Sequence, residues 1–205
     1  MKVKPSVILN AAFVLLAFCL GGCFDEPEPA YKTVPKEARV YLSDKGLGDL
    51  SGCAAALAAG AKIDYLNLDR NALTNVDPVA KLTGLKWLRL NGNRLTSLPD
   101  LKGLMSLRRI YLANNRLSAV PETLKDLPSL TDVELSGNPI DTVPAWLAEK
   151  PGLKNISLNR TRVTSLPKDL SAWRSLSSLQ LGDLSVSAEE MARIRKELPN
   201  VAIVF

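Results

Sequence analysis

Aliphatic residues recur in one fixed frame through most of the chain. The frame has apolar residues at positions 1, 4, 6 and 11, and it fits six segments in succession. Position 9 is polar in all but the last of them. These segments start at Ile63, Leu85, Leu107, Leu130, Leu153 and Leu176. The starts are 22 or 23 residues apart, so residues 63–186 consist of six copies of one unit.

Positions 3 to 7 of each copy alternate between polar and apolar residues, which is typical of a short β-strand. Positions 4 and 6 then point into the core, while positions 3, 5 and 7 point outward. Position 7, which begins with Asp69 and Asn91, is therefore expected to be part of the outer surface. One copy buries too little apolar area to offset the entropy of ordering its backbone. The copies must therefore stack as a solenoid with capped ends.

Position 9 is asparagine in the first four copies, which predicts a column of stacked amides. Each amide can bond to backbone groups of the turn after the strand, where an unpaired buried group costs about 1–3 kcal/mol. Thr161 keeps only a hydroxyl in the fifth copy, and Leu184 has no polar group in the sixth. We therefore expect the column to fade toward the C-terminus and the last coil to be irregular. The predicted ladder consists of Asn71, Asn93, Asn115 and Asn138.

Both ends of the array carry signals of capping structure. In residues 37–62, a degenerate first coil precedes a segment from Leu50 to Ala59 with the apolar spacing of a helix. In residues 187–205, Ser187 to Glu190 forms a capping box that predicts a helix, and Val201 to Phe205 should form a closing strand. The degenerate first coil is built on Val40, Leu42 and Leu47.

One column behind the strands is leucine in most copies and predicts further core positions. Trp173 occupies this column in the fifth copy, so we expect it in the core. Lys150 breaks the same column in the fourth copy. The leucines of the column are Leu82, Leu104 and Leu127.

The frame and its period resemble the leucine-rich repeat from Ile63 to Val186. The first copies look like the 22-residue internalin-like class, and the later copies look like the 23-residue class common in bacteria. The later class is marked by Val120-Pro121, Val143-Pro144 and Leu166-Pro167. The resemblance implies an α/β solenoid: a horseshoe with a parallel concave sheet, a helical N-terminal cap and a helix-strand C-terminal cap. It also implies that the concave face is the usual binding face.

The first 23 residues have the layout of an export signal. Lys2 and Lys4 precede an apolar run from Ser6 to Leu20, which is shorter than the roughly 20 residues that a membrane-spanning helix needs. The run ends in Leu20-Gly21-Gly22-Cys23, which resembles the lipobox of bacterial lipoproteins. The resemblance implies that a signal peptide of residues 1–22 is removed and that Cys23 is lipidated. A plain signal peptide or membrane anchor with a chance cysteine is the alternative.

Residues 23–36 are expected to form a tether between the lipid and the repeats. Pro27, Pro29 and Pro35 favour an extended chain, and whether the tether sets a spacing or is only a leader stays open. In Gram-negative lipoproteins, Asp after the lipidated cysteine commonly signals retention in the inner membrane. Phe24 at this place implies an exported protein that is anchored in the outer membrane, with the face of that membrane left open.

The outward positions of the first four strands carry the candidate partner-binding residues. Tyrosine, tryptophan and arginine, the residue types that most often supply interface energy, cluster on three strands, and two acidic residues lie on the fourth. The alternative is a self-satisfied surface, in which the arginines stack on the rings and pair with Asp132 and Glu134. We name this set the aromatic–arginine patch, and it consists of Tyr65, Trp87, Arg89, Arg109, Tyr111, Asp132 and Glu134.

The composition excludes most catalytic chemistry. The chain has no histidine, so it has no Ser-His-Asp or Cys-His nucleophilic site and no histidine-ligated metal. Its three cysteines cannot form a dense disulfide framework, and we expect Cys53 to be a buried apolar residue. Asp132 and Glu134 would both stay ionised on an open sheet near Arg109. We therefore expect no enzyme, no cofactor and no metal.

The net charge of the chain reduces the number of possible functions. The formal net charge is +5, and loss of Lys2 and Lys4 with the signal peptide lowers it to +3, which does not support nucleic-acid binding. The leading hypothesis is a membrane-tethered module that binds an envelope or host protein. One alternative is a binder of anionic glycan or lipopolysaccharide, through Arg89 and Arg109. Trp87 and Tyr111 would then be the stacking platforms. The other is a structural envelope protein without a specific ligand.

Overall fold

The computed structural model describes residues 38–53 and 63–205, and in these ranges eight parallel strands form one sheet in chain order. Each coil adds one strand and returns behind the sheet to begin the next, so the predicted solenoid is confirmed. The strands are β1 (Ala38–Tyr41), β2 (Ile63–Asn67), β3 (Trp87–Arg89), β4 (Arg109–Tyr111), β5 (Asp132–Glu134), β6 (Asn155–Ser157), β7 (Ser178–Gln180) and β8 (Ala202–Val204).

Neighbouring copies pair with equal positions side by side, so Tyr65 lies next to Trp87. The strands β3 to β7 have three residues each, at positions 3 to 5, and are shorter than the predicted span of positions 3 to 7. Parallel pairing continues beyond the strand ends, because the backbone N of Leu68 donates to the carbonyl oxygen of Arg89 at 2.8 Å.

The core is one continuous cluster of aliphatic side chains between the sheet and the returning segments. Inward strand positions such as Leu88 are fully buried. Trp173 is buried as well, as its place in the leucine column predicts, and its Nε1 donates to the carbonyl oxygen of Leu147 at 2.9 Å. Lys150 is also buried in this column, with Nζ 2.8 Å from the carbonyl oxygen of Lys125.

Short helical turns form the returning segments of the first, third, fourth and fifth copies, because a coil of 22 or 23 residues leaves little room beyond its strand. Pro121 and Pro144 stand directly before two of these turns, where a missing N–H costs no helical hydrogen bond. The turns are the 3-10 helices Asp77–Lys81, Glu122–Leu124 and Ser171–Ser175 and the α-helix α1 (Ala145–Glu149).

At the N-terminal end, β1 and the residues after it form the first coil. Its apolar residues Val40, Leu42 and Leu47 are buried against the repeats. A 3-10 helix covers Ser51–Cys53, and the rest of the helix predicted from Leu50 to Ala59 lies outside the described residues. The predicted signal peptide and tether lie outside them too. Within the described ranges, no helix combines the length and the apolar character that crossing a bilayer requires.

At the C-terminal end, a helix α2 (Ala188–Glu197) follows Ser187, whose Oγ accepts a hydrogen bond from the backbone N of Glu190 at 3.1 Å. The second hydrogen bond of the predicted capping box, from the backbone N of Ser187 to the Glu190 carboxylate, is not formed in the part of the chain that the structure describes. The Glu190 carboxylate instead accepts from the backbone N of Leu166 at 2.9 Å and pairs with Arg193 at 2.7 Å. It thereby fastens α2 to the preceding coil. The strand β8 is shorter than predicted.

The asparagines at position 9 bind two coils at once. In the second copy, Asn93 Nδ2 donates to the carbonyl oxygens of Leu90 in its own coil and Leu68 in the preceding coil, each at 3.0 Å. Asn93 Oδ1 accepts from the backbone N of Leu73 at 3.1 Å. Asn71, Asn115 and Asn138 repeat this arrangement. In the fifth copy, Thr161 keeps one bond, from Oγ1 to the carbonyl oxygen of its own coil.

Candidate functional site

Position 3 of successive strands forms a continuous row of contacts on the exposed sheet face. The ring centroids of Tyr65 and Trp87 are 5.8 Å apart, with an interplanar angle of 60°. The guanidinium carbon of Arg109 lies 4.4 Å from the centre of the Trp87 ring. Arg109 Nε lies 3.5 Å from Asp132 Oδ2, and Asn155 Nδ2 donates to Asp132 Oδ1 at 2.7 Å. Five strands thus contribute to one row.

Tyr41 of β1 adds a further ring to this row, although the strand register pairs it with Asn67 at position 5, and the repeat frame does not predict it. Its ring centroid is 5.2 Å from that of Tyr65, and 56% of the residue is exposed. The sequence contains a signal for this exposed ring. Val40 and Leu42 are apolar, and the alternation of a strand places Tyr41 between them on the opposite face. We name Tyr41, Tyr65 and Trp87 the aromatic row.

Arg89 lies at position 5 and is held by a carboxylate and a ring. Its Nη2 is 2.7 Å from Asp69 Oδ2, and its guanidinium carbon is 5.0 Å from the centre of the Tyr111 ring. The stacking of Arg89 on Tyr111 agrees with the self-satisfied alternative. The carboxylate that pairs with Arg89 is Asp69, however, and not the expected Glu134. Glu134 Oε1 accepts from the backbone N of Ser136 at 2.8 Å, and Glu134 forms no ion pair in the part of the chain that the structure describes.

The prediction that position 7 faces outward is wrong for Asp69, which is only 3% exposed. Its Oδ1 accepts a hydrogen bond from the backbone N of Asn91 at 2.7 Å. In the same way, Asn91 Oδ1 accepts from the backbone N of Ala113 at 2.8 Å, and Asn159 Oδ1 accepts from Gly182 N at 2.7 Å. Position 7 therefore forms a second ladder between coils, because a short polar side chain there reaches the N–H of the next coil.

The charges of the patch nearly balance. Arg89 and Arg109 face the carboxylates of Asp69 and Asp132, so the sheet face has no excess of positive charge there. Burial raises the pKa of the Tyr65 hydroxyl, although the nearby Arg89 opposes this, and the phenol is neutral at pH 7. The aromatic row is therefore an uncharged surface beside two neutralised arginines.

At the β4–β5 end of the patch, a shallow depression of about 220 Å³ extends over the strands from β4 to β7. Its walls are mixed, because Val133, Ile156 and the ring of Tyr111 lie among polar side chains. Asp132 and Glu134 border it, and each is already engaged by a hydrogen bond to a neighbouring side chain or backbone group. Around it lie Tyr111, Asp132, Glu134, Asn155, Ser157 and Ser178.

The described residues contain no group of three or more histidine, cysteine, aspartate or glutamate side chains that could hold a metal ion. The exposed face itself is built from rings, ion pairs and amides.

The comparisons with known proteins agree with this architecture. A model of the leucine rich repeat family matches residues 83–140. The crystal structure of an internalin from Listeria monocytogenes matches with a TM-score of 0.62 and 23% sequence identity. The match covers 73% of this chain and 43% of the internalin, so the chain spans less than half the length of that protein. No curated protein matches the chain in sequence.

The repeated frame, the parallel sheet and these matches agree on the fold of the leucine-rich repeat proteins. Proteins of this class are generally binding scaffolds for other proteins and are generally not enzymes. At this level of identity, the internalin shows the fold of the solenoid.

Proposed function

We propose that the chain is a lipid-anchored protein-binding module whose partner contacts the aromatic row and the rest of the aromatic–arginine patch. The observation that carries this proposal is the exposure of the rings. Trp87 and Tyr41 are 38% and 56% exposed on the sheet face, beside the half-buried ring of Tyr65. Large, rigid aromatic side chains of this kind are the usual anchors of protein interfaces.

The contacts within the patch favour binding rather than argue against it. Arg109 and Tyr65 pack against Trp87 from the neighbouring strands and fix its ring. A side chain that is already fixed loses less entropy when a partner arrives. The self-satisfied arrangement therefore also prepares the surface for binding.

A protein partner fits the charges of the patch better than an anionic glycan does. The glycan alternative relies on Arg89 and Arg109 as cations, and both are paired with aspartates. A glycan that depends on charge would have to displace Asp69, which is buried.

The membrane attachment in this proposal is supported by the lipobox-like segment that ends in Cys23. Export, cleavage after residue 22, lipidation of Cys23 and anchoring in the outer membrane form one hypothesis. Mass spectrometry of the mature N-terminal peptide tests it, because a lipidated Cys23 at the N-terminus is expected. A Cys23→Ser variant should lose the lipid and accumulate uncleaved. A wild-type chain that begins elsewhere or carries no lipid would refute the anchor.

Crosslinking on intact cells tests the binding surface. We compare the wild type with Tyr41→Ala/Trp87→Ala, which removes two exposed rings and leaves the buried Asp69–Arg89 pair in place. Met105→Ala is the matched control, since Met105 is 57% exposed and lies outside the strands. We expect the wild type and the control to capture the same protein and the double variant to lose it. Equal capture by all three, with all three folded, would contradict the proposal and favour a structural role.

A further inference from the structure

Four arginines stand at the edge of the solenoid where the strands end, away from the sheet face. Arg94, Arg116 and Arg162 occupy position 10 of the second, third and fifth copies, and Arg160 occupies position 8 of the fifth copy. All four are exposed. We name this set the arginine ridge.

The backbone fixes the ridge in register. The N–H of each arginine at position 10 donates to the carbonyl oxygen at position 11 of the preceding coil, over 2.7 to 2.9 Å. Adjacent coils of a parallel sheet are about 4.7–4.9 Å apart. Arg94 and Arg116 are therefore direct neighbours, and Arg162 follows beyond the coil in which Pro139 takes the same position.

The arginines of the ridge differ from four other arginines of the chain because they form no salt bridge. Arg70, Arg89, Arg109 and Arg193 each form a salt bridge with an aspartate or glutamate. Across residues 38–53 and 63–205, no arginine of the ridge forms one. Asp141, two residues after Pro139, makes no ion pair with them. Arg89 and Arg109 on the sheet face are thus neutralised. The edge carries the four arginines of the ridge and has an excess of positive charge over its acidic residues Asp141 and Asp183.

We propose that the arginine ridge docks on an anionic membrane surface through lipid phosphate groups. A guanidinium group presents paired donors that match a phosphate, and a row of like charges without internal partners is relieved by anionic headgroups. A planar array of headgroups can reach several coils at once, whereas one small anion reaches one or two.

This inference rests on the proposed lipid anchor. Residues 23–36, if fully extended, reach about 40 Å at about 3.1 Å per residue, so the anchor keeps the solenoid within reach of its own bilayer. Docking by this edge leaves the sheet face open, and the aromatic row stays accessible to a protein partner.

Chemical footprinting of the full chain tests the ridge. The chain is reconstituted through its own anchor on vesicles of phosphatidylcholine alone and on vesicles that also contain phosphatidylglycerol. Phenylglyoxal then modifies the arginines, and mass spectrometry gives the rate at each one. We expect the ridge arginines to react about fivefold more slowly on the anionic vesicles. Arg108, which is exposed at the opposite end of its strand, should react at the same rate on both.

Two variants that remove the same charge separate docking from a general charge effect. Arg94→Gln/Arg116→Gln/Arg162→Gln should abolish the protection of the remaining Arg160. Lys81→Gln/Arg108→Gln/Lys125→Gln, in which all three residues are exposed and outside the ridge, should preserve it.

Other outcomes overturn the inference. Equal rates on both vesicles, or equal protection of Arg108, contradict docking by this edge. Inorganic phosphate is added to the chain on neutral vesicles as a further comparison. If it protects the ridge arginines as strongly as phosphatidylglycerol does, the ridge is a small-anion site instead. If the chain dissociates from neutral vesicles, the proposed anchor is refuted. Docking by the ridge then survives only if anionic vesicles retain the chain and protect the ridge arginines, and it is refuted otherwise.

Discussion

The guanidinium carbon of Arg109 lies 4.4 Å from the centre of the Trp87 ring, on the neighbouring strand of the sheet. Its Nε also lies 3.5 Å from the carboxylate of Asp132 on the next strand. The arginine therefore links a ring and a carboxylate across three strands. Because Trp87 still keeps 38% of its surface exposed, the contact holds the ring in place without hiding it.

This stack should contribute measurably to stability. We expect a double-mutant cycle with Trp87→Leu and Arg109→Met to give a coupling free energy of about 0.5–1 kcal/mol, the range of partly exposed cation–π pairs. The measurement is the free energy of unfolding in urea for the wild type, both single variants and the double variant. Strictly additive losses would mean that the two side chains do not stabilise each other.

Removing an asparagine of the ladder should destabilise the protein far more than removing Thr161, which takes the same position near the C-terminal end. Asn93→Ala leaves the backbone N–H of Leu73 without its partner, and an unpaired buried group costs about 1–3 kcal/mol. It also removes one of the two asparagine bonds to the carbonyls of Leu68 and Leu90, which keep Asn71 and Asn115 as partners. We expect the free energy of unfolding to fall by about 2–4 kcal/mol. Thr161→Ala breaks one bond to the carbonyl of Leu158 and should cost about 1 kcal/mol. Similar losses at both positions would contradict a ladder that fades.

The strand positions and their register could be predicted from sequence because burial repeats with the coil. Once the frame is set, Trp87 and Arg109 fall in one column, and parallel stacking makes residues of one column neighbours. The aromatic–arginine patch followed from this rule alone. Tyr41 was missed because the first coil departs from the frame, although its alternation is intact.

Asp69 and Glu190 show what the pattern could not predict. Alternation placed Asp69 outside, yet two hydrogen bonds to Asn91 and Arg89 make its burial favourable. A local motif assigned the Glu190 side chain to the N–H of Ser187, yet Leu166 and Arg193 hold it instead. In both cases the deciding partner belongs to another coil or another turn, and a binary pattern of polar and apolar residues carries no information on it.

The link between α2 and the last repeat should fail in acid. Arg193 and the N–H of Leu166 hold the pKa of Glu190 below its usual 4.5, so the folded state binds fewer protons than the unfolded state. The stabilisation is therefore complete above pH 4.5 and is lost as the pH falls through the lowered pKa. We expect Glu190→Gln to cost about 1–2 kcal/mol near neutral pH. Urea unfolding at decreasing pH should show the two proteins converging, and a constant gap would contradict the linkage.

Lys150 is the residue that fits its surroundings least. It occupies a column otherwise filled by leucine and tryptophan, and it is only 8% exposed. Its Nζ donates to the carbonyl oxygen of Lys125 at 2.8 Å, and no carboxylate pairs with it among the described residues. Burial lowers the pKa of Lys150 because it disfavours the charged ammonium, and the more distant Asp126 only partly opposes this.

Replacing this lysine should therefore stabilise the protein. We expect Lys150→Met, which keeps the length of the side chain and removes the charge, to raise the free energy of unfolding by about 1 kcal/mol at neutral pH. The gain should shrink as the pH rises from the lowered pKa toward the ordinary 10.5, because the unfolded lysine still binds a proton there while the folded one has released it, which stabilises the wild type. Lys125→Met is the control, since that side chain is exposed and its change should be close to neutral. Thermal and urea unfolding of the three proteins across this pH range checks both expectations. A destabilised Lys150→Met variant would mean that the bond to the Lys125 carbonyl outweighs the cost of burying the ammonium.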